Sequence, residues 1–393
     1  LNPTDFTRNR KQSFAMNLLL ILRRLTKSLA LEIESFITVL RQECNLLDTN
    51  AFTTSAFVQS RRKISPAVFI HLSSSLVREF YTENEDNVKL WCGFRVLAVD
   101  GSLIHLPITK ELASIYGTFH NQSETYVVQG RVSVLYDVLN HYIIDGSLSA
   151  RNLGERELAL AHLEFTKTKD LIIYDRGYPS FDFIYEHTER KLDFLIRVKT
   201  TFSHTVKDFL KTNKKSSLVK IQCVKNHCFK GKKYTKDTTL LVRLIRVELP
   251  SGETEVLITS LLDENKYPHA IFKELYFKRW KVETLYDQLK NKLKIEYFSG
   301  YSSTTILQDF NAALFISNIQ TLLTSEIDED LSTQIDKKYI YKVNKNIAYG
   351  ILKTKVITLF FSDKSMEEIV VQLKETLQKY VIPIRPNRSY KRS

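Results

Sequence analysis

Phe94-Arg95-Val96-Leu97-Ala98-Val99-Asp100 is the stretch on which the fold turns. An unbroken apolar run of this length, without polar alternation, reads as a strand buried on both faces of a helix-covered sheet. It ends on an acid, and Gly101-Ser102 behind it supply turn residues. A second strand of the same kind, Leu171-Ile172-Ile173-Tyr174, ends on Asp175 with Arg176-Gly177 following. Between the two, Gln129–Leu135 and His141–Leu148 read as strands about a turn at Asn140, and Glu155–Phe165 reads as a helix. Beyond them, Ser180–Lys191 has helical character and Asp193–Val198 makes a fifth strand. This succession of elements predicts an α/β fold, a mixed sheet flanked by helices.

Working outward, the flanks differ in texture. Residues 12–42 read as one amphipathic helix with Leu18, Leu22, Leu25, Leu29 and Ile33 on its apolar side. A second helical region follows Thr53-Thr54-Ser55, includes Gln59-Ser60-Arg61-Arg62-Lys63, and restarts at Ser65-Pro66. Thr82–Asn87 reads as a polar linker. Residues 200–262 are β-rich, with alternating runs at Val219–Val224, Thr238–Val247 and Glu255–Ser260 and a turn at Pro250-Ser251-Gly252. Helices resume at Pro268 and run to the end. The expected organisation is a helical N-terminal domain over 1–90, a first part of the core over 91–199, and a lysine-rich β insertion over 200–262. A core helix region over 263–304 and a C-terminal helical region with a basic tail over 305–393 complete it.

The chain has 393 residues, 43% of them hydrophobic and 26% charged, enough to bury a sizeable core. Its net charge is +13 and its pI about 9.3, which points to a polyanionic partner. The charge is concentrated: residues 199–236 hold 11 lysines, Lys214, Lys215, Lys230, Lys232 and Lys233 among them, against the single acid Asp208. No stretch is long and apolar enough to span a membrane, since the run Phe14–Leu22 is stopped by Arg23-Arg24. That run has no small-residue cleavage site and is read as no signal peptide. The chain opens on Leu rather than Met, so its true start is left open. The 4 cysteines make no disulfide framework, and Cys223-x4-Cys228 has no second pair at zinc-site spacing. A reducing cytoplasm is the expected compartment.

Tyr276-Phe277-Lys278-Arg279-Trp280-Lys281-Val282-Glu283, continuing to Lys290, has helical periodicity. At 100° per residue Tyr276, Arg279, Glu283 and Lys290 fall within about 60° of one another. Beside them lies the apolar stripe Leu275, Val282, Leu285, Tyr286, Leu289, Leu293. The bland reading is a solvated face with an i, i+4 Arg279–Glu283 pair. The sharper one joins Glu283 to Asp100 and Asp175, the acids at the ends of core strands. Hard cations such as Mg²⁺ take carboxylate oxygens, and two such ions about 4 Å apart suit phosphodiester chemistry. Asp137 and Asp145 are read as turn or strand-edge acids.

Taken together, Asp100-Gly101-Ser102, Asp175-Arg176-Gly177-Tyr178 and the Tyr276-x2-Arg279-x3-Glu283-x6-Lys290 pattern resemble the DDE transposases of bacterial insertion sequences. Within these the chain is similar to family four, marked by that Tyr-Arg-Glu-Lys signature and a β-strand insertion between the second and third acids. The acids are separated by 75 and 108 residues, which leaves room for the insertion. The resemblance covers roughly residues 53–390. It implies an RNase H-like core, two Mg²⁺ ions (Mn²⁺ able to substitute) and cut-and-paste chemistry on double-stranded DNA at the transposon ends and target. It further implies Asp100, Asp175 and Glu283 as catalytic metal ligands, and Tyr276, Arg279 and Lys290 as phosphate contacts. A homodimer in the synaptic complex and work on the bacterial nucleoid follow from the same resemblance. Relatives that cut through a hairpin stack a flipped base on a tryptophan in the insertion. Here Trp91 and Trp280 lie outside it, leaving Phe229 or Tyr234 as the aromatic alternatives.

Base recognition is expected from residues 53–75, with Arg61 and Lys63 as contacts, and phosphate binding from the insertion lysines. Two rival readings remain. One is a sequence-specific DNA-binding protein derived from a transposase without catalysis. The other is a generic Mg²⁺-dependent nuclease on the same core.

Overall fold

The computed structural model describes residues 5–6, 12–120, 126–223, 234–235, 237–249, 251–333 and 339–385. Its N-terminal part contains α1 (Phe14–Leu22), α2 (Leu29–Gln42), α3 (Thr54–Arg61) and α4 (Ala67–Glu83). Then come β1 (Arg95–Leu106), α5 (Lys110–Tyr116), β2 (Thr118–His120), β3 (Tyr126–Asp137), β4 (Ile143–Ala150), α6 (Glu155–Ala161), β5 (Asp170–Tyr174), α7 (Phe181–Glu189) and β6 (Asp193–Val198). After these follow α8 (His204–Lys211), β7 (Ser216–Gln222), β8 (Thr239–Glu248), β9 (Thr254–Thr259), α9 (Ile271–Phe277) and α10 (Trp280–Asp287). The C-terminal part holds α11 (Ser303–Ser332), β10 (Tyr341–Val343), α12 (Lys345–Phe361), α13 (Met366–Gln378) and β11 (Val381–Pro383). Two units emerge: Leu1–Glu85 with Ile104–Gly130 and Asp287–Ser393, and Asp86–Leu103 with Arg131–Tyr286.

The sheet has 9 strands in the order β2-β3-β1-β5-β6-β9-β8-β7, with β4 paired to β3. Its centre, β4-β3-β1-β5-β6, is the RNase H-like arrangement. β1, β5 and β6 run parallel, joined through α6 and α7, because parallel neighbours need a crossover. Val96 to Val99 and Leu171 to Tyr174 are all 0% exposed, so the unbroken apolar runs are explained by burial on both faces. Register is pinned at one end by a buried ion pair: Arg95 Nε donates to Asp170 Oδ1 at 2.8 Å and Nη2 to Oδ2 at 2.6 Å. Asp137, fully buried, accepts from the backbone N–H of Leu139 (2.8 Å) and Asn140 (2.9 Å) and so closes the β3–β4 turn.

Residues read as a β insertion add to this same sheet. β9 pairs antiparallel with β6, then β8 with β9 and β7 with β8. Val242, Leu244, Val256 and Ile258 share one apolar cluster with Ile172, Phe194 and Ile196, so the added strands bury the face that the central strands bury. Arg243, 1% exposed, donates from Nη1 to Tyr267 O (2.7 Å) and lies over the Phe272 ring (5.3 Å), which fixes the chain that leads into α9.

In the other unit, α11 is 30 residues long, about 45 Å. Leu323, Ile327 and Leu331 of α11 pack with Leu352, Ile369, Leu373 and Leu377. The single helix expected over 12–42 is two helices. The chain turns at Arg24, whose φ is +57°, and both arginines point inward. Arg23 donates to Glu32 O (3.3 Å) and Ser35 Oγ (3.0 Å), and Arg24 to Asp309 O (2.6 Å). A doublet that reads as the charged stop of an apolar run is thus a buried hydrogen-bonding corner. The helices expected to the C-terminus are likewise interrupted by the small antiparallel pair β10–β11.

Candidate active site

β1 does not end at Asp100, as the sequence suggests, but continues to Leu106. Burial changes at that point: the strand is buried through Val99 and half-exposed from Asp100 to Leu103. The parallel register runs from Arg95↔Asp170 to Ala98↔Ile173, an offset of 75 residues. That is also the separation of the two acids, so the register carried two residues further sets Asp175, just past the end of β5, opposite Asp100 of β1. β5 has ended at Tyr174, and Asp175 opens a tight turn in which its Oδ1 accepts from Gly177 N at 2.7 Å. A Cβ on Gly177 would stand 3.0 Å from that oxygen, so any larger residue there would have to displace the Asp175 carboxylate. Tyr178 then drops into the core, 1% exposed, against Tyr174 (ring centroids 5.3 Å) and Phe183 (5.9 Å).

The third acid is delivered by α10. Tyr286 Oη donates to Asp100 O at 2.8 Å, which locks α10 onto β1, and Glu283 lies one turn earlier on the same side. Sequence reading places Tyr286 in an apolar stripe and misses this role; a hydroxyl at a buried stripe position was the available signal. Arg279 sits among the acids, 6% exposed. Its Nη2 donates to Glu283 Oε1 at 2.8 Å, and its Nη1 stands 3.9 Å from Asp100 Oδ2. Burial pushes the Asp100 carboxyl up, to about 6; Gly101 N–H and Arg279 oppose this, while Asp175 and Glu283 add to it. Asp100 is therefore near enough to Asp175 and Glu283 to feel the charge of both. Among the described residues no three His, Cys, Asp or Glu side chains stand close enough together to hold a metal ion, these three acids included.

Tyr276 is 4% exposed and its hydroxyl has no hydrogen-bond partner; Arg279 Nε has none either. Burial pushes the Tyr276 hydroxyl up to about 12 against Arg279 and Arg197. The continuous helix assumed for the signature is not continuous. α9 ends at Phe277, α10 starts at Trp280, and Gln288–Lys292 is π-helical, so the 100° step does not carry through to Lys290. Lys290, half-exposed, belongs to the first unit.

Other expected contacts divide. Arg61 is a correction: it is 1% exposed, paired with Asp309 at 3.1 Å and bonded to Gln308 and Ser299, which leaves no surface for a base. Lys63 keeps 43% of its side chain exposed beside Asp5 (3.1 Å). Lys214 and Lys215 are exposed ahead of β7, while Lys230, Lys232, Lys233 and Phe229 lie outside the described residues. Tyr234 is also a correction, being 4% exposed and packed on Phe181 and Tyr185, so it offers no face to a base. Asp145, read as a strand-edge acid, bonds His162 (2.6 Å), which reaches Ser133 Oγ at 2.9 Å. With Ser133 and His162 each 1% exposed, that triad-like set ties β3 and β4 to the end of α6 and meets no substrate.

A mixed sheet with one acid on β1, a second just past the end of its parallel neighbour β5 and a third on a helix anchored to β1 has the strand order of the RNase H-like class. The Transposase DDE domain family matches residues 91–319, and the chain belongs to that family. It is 24% identical over 249 residues to Transposase InsG for insertion sequence element IS4 of Escherichia coli (strain K12), covering 61% of this chain and 53% of that protein. The chain thus spans about half the length of that curated relative. Among solved structures, a cryo-EM piggyBac transposase synaptic complex with hairpin DNA aligns at a TM-score of 0.41 and 11% identity, over 97% of this chain and 88% of that one.

Proposed function

We propose that this chain binds the terminal inverted repeats of an insertion sequence and catalyses metal-dependent strand cleavage and strand transfer in cut-and-paste transposition. The observation that supports it most is the placement of Asp175 opposite Asp100, with Glu283 turned toward them by the Tyr286 anchor. These residues fit a hard divalent ion. The donors are carboxylate oxygens, and Asp175 and Glu283 each add to the rise that burial gives Asp100, a like-charge repulsion that a dication offsets. Asp100, Asp175 and Glu283 would hold Mg²⁺, two ions by the family's chemistry, which supplies Lewis acidity and an activated oxygen nucleophile.

The chain's own residues do the rest. Arg279 Nη2 occupies Glu283 Oε1, and if Glu283 turned to an ion the freed guanidinium would take a phosphate oxygen as its partner. Tyr276 holds a buried, unpartnered hydroxyl beside that position and donates to the same group. Lys290, Lys214, Lys215 and the further lysines of the insertion neutralise backbone phosphates, and Lys63 with the N-terminal helices contributes to end recognition. A homodimer synapses two ends, with the region after residue 305 as its interface. Among the described residues no helix is long and apolar enough to cross a membrane; the proposed place of action is the bacterial cytoplasm, on DNA.

The test is a cleavage assay on labelled DNA carrying the element's own end, with Mg²⁺, comparing wild type and Glu283→Gln. Cutting at the end by wild type alone is expected, with end binding kept in the variant. Retained cutting by Glu283→Gln overturns the assignment. Tight binding without cutting by either protein points to a DNA-binding derivative instead.

A further inference from the structure

Asp100 is fixed by the strand that carries it, but Asp175 is not. β5 ends at Tyr174, and Arg176 and Gly177 are exposed, so the turn holding the second acid lies beyond the ladder. Its own bonds are short-range. Gly177 N donates to Asp175 Oδ1 at 2.7 Å, and Tyr178 N reaches Asp175 O at 3.4 Å. The hold from outside comes from α6: Arg156 Nε (3.2 Å) and Nη2 (3.0 Å) both donate to Gly177 O. That oxygen and Tyr178 N are the two ends of one planar peptide, so the guanidinium fixes the group that closes the turn. An exposed arginine usually reads as a solvated charge; two donors on one carbonyl oxygen set this one apart. The residue before it makes a matching contact. A Cβ on Gly101 would stand 3.3 Å from Glu155 Cγ and 3.5 Å from its Oε1, and Arg131 holds that carboxylate. Consecutive residues of α6 thus rest on the glycine after Asp100 and on the glycine of the Asp175 turn. They do so from behind. Leu97 and Val99 share a cluster with Ala159 of α6, and side chains alternate along a strand, so Gly101 faces α6 and the Asp100 carboxylate faces away.

We propose that Arg156 is a positioning residue of the acidic centre: by gripping Gly177 O it holds the turn that aims the Asp175 carboxylate, while Glu155 backs Gly101. The inference rests on the reading of Asp100, Asp175 and Glu283 as metal ligands. Charge and grip make opposite predictions for this residue. A guanidinium beside an acidic centre repels a cation, so removing its charge by itself tightens ion binding. Removing its grip frees the turn and weakens ion binding, as loss of an outer hydrogen bond that orients a ligand does, commonly on the order of 10- to 100-fold. Because Arg156 is exposed, solvent screens its charge, and the grip is the larger effect.

The experiment measures Mn²⁺ binding to the full chain by calorimetry or by the spin-resonance signal of free ion, for wild type, Arg156→Met and Asp175→Asn. Ion-free thermal melts and ion-free binding of end DNA accompany it. Arg156→Met is expected to bind Mn²⁺ about 10-fold more weakly. It should melt within about 2 °C of wild type, since one exposed hydrogen bond adds little stability, and bind DNA as wild type does. Unchanged or tighter Mn²⁺ binding in Arg156→Met overturns the proposal. So does an ion-free melt several degrees lower, because Arg156 would then brace the whole unit. Weaker DNA binding without ions overturns it too, by making Arg156 a phosphate contact. Unchanged Mn²⁺ binding in Asp175→Asn overturns the ligand reading beneath it. Loss in Asp175→Asn with no loss in Arg156→Met removes Arg156 alone.

Discussion

Two arginine–carboxylate sites, one in each unit, use the same groups to opposite ends. Between α3 and α11, Arg61 has all its nitrogens bonded: Nε to Gln308 (2.9 Å), Nη1 to Ser299 (2.7 Å) and Nη2 to Asp309 (3.1 Å). Asp309 in turn accepts from Ser299 N at 2.7 Å. Between α10 and β1, Arg279 bonds Glu283 at 2.8 Å, reaches Asp100 only at 3.9 Å and leaves Nε without a partner. The first network is finished and holds helices together. The second has spare donors and spare charge, which is the capacity a ligand needs. Charged residue type does not separate the two; saturation of their hydrogen bonds does.

Stability is the sharpest way to break this comparison. Arg61→Met strands Asp309, 2% exposed, and should cost about 3–5 kcal/mol in urea unfolding. Arg279→Met leaves carboxylates that water reaches, Glu283 at 33% and Asp100 at 22% side-chain exposure, and should cost less than about 1 kcal/mol. Equal losses would erase the distinction.

The second unit has a finished polar site of its own, and pH isolates it. His187 is fully buried, its Nδ1 against Phe183 O (2.7 Å) and its Nε2 against the Tyr174 hydroxyl (2.8 Å). Burial lowers its pKa to about 4. The unfolded chain takes up this proton near pH 6.5 and the folded chain does not. Stability is therefore full above about pH 6.5, falls as pH drops toward 4, and levels off below. The expected loss is about 3 kcal/mol. Unfolding midpoints from pH 7 to 4 should fall less steeply for His187→Gln; parallel curves would assign the loss elsewhere.

A smaller effect separates a latch from a brace. If Arg279 stands where ions bind, Arg279→Met should tighten Mn²⁺ binding about 10-fold, the order of one charge-assisted hydrogen bond no longer competing. Weaker Mn²⁺ binding would make Arg279 a support for the acids. Smallest of all, Lys214→Ala with Lys215→Ala should reduce the slope of log affinity for DNA against log salt by about 2. An unchanged slope would mean that this loop touches no phosphate.

Much of the candidate site was legible in the chain itself, for local reasons. Asp100 and Asp175 each follow an apolar run that only a core strand explains, and Glu283 lies at helical spacing from Arg279. Other residues misled because their surroundings come from far along the chain. Arg61 sits in a basic cluster and reads as a surface contact, yet its partners Ser299, Gln308 and Asp309 are more than two hundred residues away. Arg23 and Arg24 read as a charged stop and are a buried corner for the same reason, bonded to Lys353 O and Asp309 O. Tyr286 looks like a core aromatic, and in packing it is; that its hydroxyl reaches Asp100 O is invisible along the chain.

By itself the sequence determined the strand and helix succession of the central sheet, the acids that follow its apolar runs and the family to which the chain belongs. These follow from periodicity and spacing, which short-range sterics and burial write directly into the chain. Tertiary structure alone decided that Asp100 and Asp175 stand opposite each other, that the insertion strands extend the same sheet, and that one arginine–acid network is saturated while the other is not. Register, burial and hydrogen-bond saturation depend on partners brought together from distant segments, and no local pattern encodes them.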